Sequence, residues 1–193
     1  MSVMQPVNVK AVNVKAVPVN ALVEFVRKEL SGEQLQSVLG KFSPADAGLF
    51  TGHLLATDQV PVRAVNEFTR LSAAAKGEPV KAFGRRAGRF GAEQGVRSVY
   101  RFIMMVMSTE SVLRKAPFMW TRVYDGGEME VEALPKSAKI HIRNFPSEEA
   151  GCARITGWFE KIGELSGAKN LRTAHISCMA EGGKDCTWTF EWQ

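Results

Sequence analysis

Three cysteines and three histidines carry the strongest claim to chemistry in this 193-residue sequence, and most of them cluster near its end. The stretch HISCMAEGGKDCTWTFEW sets His175, Cys178 and Cys186 around a glycine turn, with Cys152 upstream. If EGGKD joins a hairpin, pairing centred near Gly182 places Cys178 opposite Cys186, where Cβ atoms stand roughly 5 Å apart. Two thiolates at that separation can share a zinc ion through bonds of about 2.3 Å. Adding Cys152 and His175 fills a tetrahedral shell and leaves no position for water, so such a site is structural rather than hydrolytic. The same spacing is met by buried cysteines for which His175 is an ordinary neighbour. A geometric condition applies in either case: residues three apart in a strand face opposite ways, so His175 and Cys178 need a bulge or a strand end between them.

Other chemistries have less support. The glycine-rich GRRAGRFG lacks the lysine-serine or lysine-threonine ending of a phosphate-binding loop. No histidine accompanies a credible nucleophile, and Glu148-Glu149 suit a helix start, so no catalytic residue is expected. The excess of five positive charges permits an acidic partner. Arg85, Arg89, Arg97 and Arg101 form a stripe without interleaved aromatics or a groove-reading motif, so nucleic acid is not expected.

The elements that must position these residues follow from periodicity. Leu22, Phe25, Val26 and Leu30 mark a first helix, and Leu35, Val38 and Leu39 a second. Ser43-Pro44 opens a short third helix, and Val65, Phe68 and Leu71 mark a fourth after Pro61. In KAFGRRAGRFGAEQGVRSVYRF, Gly84, Gly88, Gly91 and Gly95 fall on one helical face. Each costs roughly 1 kcal/mol relative to alanine in a helix, so the bare stripe predicts close approach of another backbone, here assigned to a dimer or partner face. Ser108 or Thr109 caps a helix that Pro117 divides. EMEVEAL and AKIHIRNF alternate with period two as a hairpin whose wet face carries His141. Ser147 caps the longest helix, with Ile155, Trp158, Phe159, Ile162 and Leu165 inward, and two strands end the chain.

The result is an α+β domain: a helical N-terminal half packed on a mainly antiparallel sheet of about four strands, with a long helix between its two hairpins. Residues 14–193 form this single domain. Residues 1–13, with the tandem pentamer VNVKA-VNVKA, read as a flexible or edge-strand arm. The odd cysteine count, the absence of an apolar leader and of any span-length apolar run predict a cytoplasmic protein with no membrane span.

From about Pro18 to Trp192 the sequence resembles the 4-vinyl reductase type of the heme-NO-binding and Golgi-transport ligand-binding superfamily. The stretches VNALVEFVRKELSGEQLQSVLGKF, LRKAPFMWTRVYDGGEMEVE and GWFEKIGELSGAKNLRTAHISCMAEGGKDCTWTFEW carry the resemblance, and short stand-alone myxobacterial proteins with this ending are most similar. In related phenol-sensing domains a cysteine, a carboxylate and two further cysteines hold zinc at similar spacing. The resemblance therefore implies structural zinc as cofactor, on Cys152, His175, Cys178 and Cys186, with His175 standing where those sensors use an acid.

It also implies a non-enzymatic regulatory or sensory module. A small hydrophobic molecule or acyl chain would sit between helices and sheet, beside Phe102, Met105, Met107, Phe118, Trp120, Tyr124, Trp158 and Phe159, and its state would pass to a protein partner, with a homodimer expected. The alternative is a ligand-free adaptor using the same fold for assembly. Phenol itself is not expected, because Ile103 and Val131 stand in the register of the residues that orient it. Heme is not expected either: the Tyr-x-Ser-x-Arg signature is missing, and His53, His141 and His175 are the only histidines.

Overall fold

A computed structural model of the chain describes residues 11–95 and 107–193. The expectations for residues 1–10 and for Arg97, Arg101, Phe102, Ile103 and Met105 fall outside them. The helical half comprises strand β1 (Asn13–Lys15), helices α1 (Ala16–Glu29), α2 (Gly32–Leu39) and α3 (Pro44–Thr51), strand β2 (Gln59–Pro61), and helices α4 (Val62–Lys76) and α5 (Val80–Gly95). Beyond residue 106 come α6 (Thr109–Arg114), α7 (Ala116–Val123), β3 (Glu128–Leu134), β4 (Ser137–Arg143), the long α8 (Glu149–Leu165), β5 (Arg172–Ser177), a 3-10 turn at Met179–Glu181 and β6 (Cys186–Glu191). The sheet is antiparallel with strand order β3-β4-β6-β5, and α8 connects the two hairpins as the pattern requires.

Local chemistry sets the boundaries. Ser31 and Gln34 close a capping box on α2, Ser43 caps α3 ahead of Pro44, and Ser108 caps α6. Pro117 falls in the first turn of α7, where a missing N–H is harmless. Alternation sorts the sheet: Ile140, Ile142, Trp188 and Phe190 are buried, while Glu128, Glu130 and Glu132 lie opposite Arg143, His141 and Lys139 on the wet face. The sequence pattern predicts a simply exposed His141; instead it is half-buried, its Nδ1 3.1 Å from Asp185 Oδ2 and 3.0 Å from Thr187 Oγ1.

The second VNVKA copy is structural. Val12 and Val14 are buried, Val14 pairs with Val60, and Asn13 donates from its main-chain N–H and its Nδ2 to the Asp125 carboxylate. These contacts tie β1 to the chain just beyond α7.

One core joins both halves. Val19, Leu22, Phe25 and Val26 of α1 meet Val65 and Phe68 of α4, Phe83 and Ala87 of α5, and the inner face of the sheet. Phe159 of α8 packs edge-on to Trp188 and Phe190, with ring centroids 6.0 and 5.6 Å away. α5 and α8 run in close contact. A Cβ at Gly88 would stand 1.9 Å from the Arg154 carbonyl oxygen, one at Gly157 1.9 Å from that of Arg85, and one at Gly84 2.9 Å from Ala153 Cβ.

Candidate functional site

Three elements bring the four sequence-predicted donors together. Cys152 lies in the first turn of α8, Cys178 follows β5, and Cys186 opens β6. The β5–β6 register shifts between His175 and Ser177, which supplies the irregularity needed to turn His175 and Cys178 toward one point. The three Sγ atoms stand 3.8 Å from one another, and one donor atom of each of the four residues lies within 4.8 Å of the rest. Donors on a tetrahedron with bonds of about 2.3 Å have edges of about 3.8 Å, so the sulfur triangle has the dimensions of a metal-binding face.

The surroundings hold this arrangement. The His175 ring stacks on Trp188 with centroids 4.3 Å apart, and its Nε2 is buried without a hydrogen-bond partner. Trp188 Nε1 donates to Thr156 Oγ1, which donates in turn to the Cys152 carbonyl. Ser147, expected to cap α8, does not do so; α8 begins after Glu148 without a side-chain cap, and Ser147 Oγ lies 3.1 Å from Cys186 Sγ. The Met179 N–H donates to the same sulfur at 3.4 Å.

Hydrogen bonding from Cys152, followed by contacts from His175, Ser147 and the Met179 N–H, outweighs burial and pulls the Cys186 thiol down to about 4. Cys152 is pushed up, chiefly as the hydrogen-bond donor to Cys186, and burial pushes Cys178 up. Three sulfurs and the His175 ring thus converge on one point. Such a donor set can hold a metal ion.

A second feature lies between α1, α5, α7, β3 and α8. It is a cavity of about 130 Å³ lined by Leu22, Ala87, Gly88, Gly91, Met119, Trp120, Val123, Tyr124, Met129, Ile155, Trp158 and Phe159, with Arg154. Trp120 and Tyr124 rings lie 4.2 Å apart, and Trp120 Nε1 donates to the Gly126 carbonyl, which fixes this wall. Burial pushes the Tyr124 phenol up, so it stays protonated at neutral pH. A larger open cleft of about 470 Å³ is lined by Cys152, His175 and Cys178 of the thiol cluster together with Lys81, Arg85, Glu149, Glu160 and Thr173. Its walls are mainly polar and Arg85 is already paired with Glu160 at 2.6 Å, so the smaller aromatic cavity is the better ligand site despite its size.

Of the expected pocket residues, Trp120, Tyr124, Trp158 and Phe159 line this cavity. Phe118 does not. It is 59% exposed, with the Arg122 guanidinium 4.9 Å from its ring centroid, because it lies on the outward face of α7. Met107 is half-buried outside the named lining. Sequence reasoning missed Leu22, Met119, Met129 and Arg154; an arginine among Ile155, Trp158 and Phe159 of an otherwise apolar helix face was the available signal.

The glycine expectation divides. Gly84 and Gly88 meet α8 of the same chain, so close approach is present but its partner is intramolecular, and these two positions are not an open dimer face. Gly91 and Gly95 have open space where a Cβ would stand, and Gly91 lines the cavity.

No family model and no curated protein matches the sequence. Solved structures do match in fold. An H-NOX protein from S. oneidensis in the Fe(II)NO ligation state superposes with a TM-score of 0.72 at 14% identity, over 93% of this chain and 99% of that one. An Fe(II) unliganded H-NOX protein mutant from K. algicida gives 0.68 at 10% identity, over 93% and 96%. A structure described as probing the function of heme distortion in the H-NOX family gives 0.70 at 9% identity, over 93% and 95%. The chain thus has the H-NOX fold. The expectation of structural zinc is corrected here: the cofactor named for this fold among these structures is heme, and converging donors do not by themselves name zinc.

Proposed function

We propose that this chain is a non-catalytic sensory or regulatory module that holds a small hydrophobic molecule in the cavity between α1, α5, α7, β3 and α8 and passes its state to a protein partner. The observation that carries the reading is the cavity itself, whose wall is almost wholly aromatic and aliphatic. Its position supports the second half of the reading, because α5, α7, α8 and the sheet all contribute, so an occupant bears on the packing of both halves of the domain. A ligand-free adaptor has no use for this space.

Heme does not fit these residues. None of the three histidines lines the cavity: His141 faces Asp185 on the wet side of the sheet, His175 stacks on Trp188, and His53 is exposed. Met119, Met129 and Tyr124 carry donor types that bind heme iron elsewhere, but about 130 Å³ admits an object the size of one aromatic ring, not a four-pyrrole macrocycle. No step is assigned to it.

The finer assignment to the 4-vinyl reductase type rests on the C-terminal motifs. Cys152, His175, Cys178 and Cys186 are proposed as metal-binding residues that pin α8 to the last hairpin, with the ion to be identified by measurement.

Native and denaturing mass spectrometry of the protein isolated from its own host tests the reading. A small hydrophobic molecule held non-covalently and lost on denaturation is the expected result. A stoichiometric partner chain with no small molecule would replace the sensor by the adaptor.

A further inference from the structure

The cavity carries one charged residue in its lining. Arg154 lines it from α8, and a guanidinium stays charged in proteins. A charge set against apolar walls without a counter-ion loses its hydration uncompensated, so such groups are normally paired. The other arginines along the α5–α8 seam obey this rule: Arg85 meets Glu160 at 2.6 Å, Arg89 meets Glu164 at 2.8 Å, and Arg86 meets Glu29 and Glu78, each at 2.8 Å.

Arg154 is different. Among the described residues no carboxylate lies within 4.0 Å of it, Glu148 acts on it only from beyond that distance, and residues 1–10 and 96–106 contain no aspartate or glutamate that could pair with it. Its Nη2 donates to Asn66 Oδ1 at 2.8 Å, and its Nε is buried without a partner. Asn66 is itself fully buried and is set against α8 at Gly151, where a Cβ would come 2.8 Å from Oδ1. A neutral amide therefore holds the guanidinium in place without neutralising it.

We infer that the cavity takes an anionic ligand, a small aromatic carboxylate whose ring lies among Trp120, Tyr124, Trp158 and Phe159 and whose carboxylate pairs with Arg154. The size suits a single ring, since a cavity of about 150 Å³ admits benzene and this one, about 130 Å³ and open on one side, leaves the carboxylate to reach beyond the ring's space. The chemistry agrees as well: the guanidinium of arginine pairs with a carboxylate through charge-assisted hydrogen bonds, and Arg154 is the residue of the lining that carries a charge. This inference rests on the ligand-binding reading above and narrows it from a hydrophobic molecule to an acid with one apolar ring.

Calorimetric titration of the full chain with benzoate and with toluene, its neutral counterpart in shape, tests it. Wild type is expected to bind benzoate at least about tenfold more tightly than toluene. Arg154→Gln should lose that preference, and its circular dichroism and melting curve show whether the variant is folded. Equal affinity of wild type for the two probes would overturn the anion inference and leave the hydrophobic-ligand reading standing. Benzoate binding by Arg154→Gln at the wild-type affinity would do the same. If neither probe binds wild type, both fall. Should Arg154→Gln not fold, the wild-type ratio alone decides.

Discussion

Gly88 of α5 lies directly on the main chain of Arg154 in α8, so closely that a Cβ at position 88 would stand 1.9 Å from the Arg154 carbonyl oxygen and 2.9 Å from the Trp158 nitrogen. This contact fixes the helix pair that supplies much of the cavity wall. Gly88→Ala is expected to destabilise the fold by about 3 kcal/mol or more, because backbone rather than a flexible side chain must move. Gly91→Ala, one turn on in the same helix, meets open space and should gain about 0.5–1 kcal/mol through helix propensity. Chemical denaturation of the two variants distinguishes these outcomes, and equal effects would contradict the described seam.

The thiol cluster predicts metal content. Elemental analysis of purified protein should find close to one metal ion per chain in wild type and clearly less in the double variant Cys178→Ser, Cys186→Ser, with a lower melting temperature. Metal-free wild type with the melting temperature of the double variant would remove Cys152, His175, Cys178 and Cys186 from the metal-binding role.

The Arg86 network predicts how stability responds to acid. The Arg86 hydrogen bond is the largest influence on Glu29 and holds its carboxyl below the ordinary 4.5. A depressed folded-state value means that the contribution is fully present above 4.5 and is lost as pH falls through the folded value. Arg86→Gln should therefore cost about 1 kcal/mol at neutral pH, a modest figure because solvent screens this exposed pair. The gap to wild type should narrow steadily in acid; denaturation curves between neutral and acid pH check this, and a constant gap would refute the linkage.

Much of the fold was legible because it depends on local rules. Ser43 and Ser108 cap the helices their positions suggest, and alternation in EMEVEAL and AKIHIRNF places the hairpin and its faces. The convergence of Cys152, His175, Cys178 and Cys186 was legible too, since hairpin register brings Cys178 beside Cys186. What spacing does not carry is the partner of a long-range contact. Periodicity marks Gly84 and Gly88 as a close-approach face, but only the crossing of α5 on α8 shows that the approaching backbone belongs to the same chain. Ser147 looks like a cap in sequence and is drawn off to Cys186 by the turn of the chain before α8. Phe118 departs from its expected role for the same reason: helix rotation, set by the whole core, turns the phenylalanine to solvent, while Arg154, for which the sequence suggested no role, lines the cavity.

The central claim is that the cavity beside Gly91 binds a small apolar ligand, and the most direct measurement is saturation binding of toluene followed by tryptophan fluorescence, since Trp120 and Trp158 both line the site. Wild type should show saturable binding of one toluene per chain, and Gly91→Leu, which places a side chain in the same space, should abolish it while the protein remains folded. Absence of saturable binding of both toluene and benzoate in wild type, or undiminished binding in folded Gly91→Leu, would contradict the account.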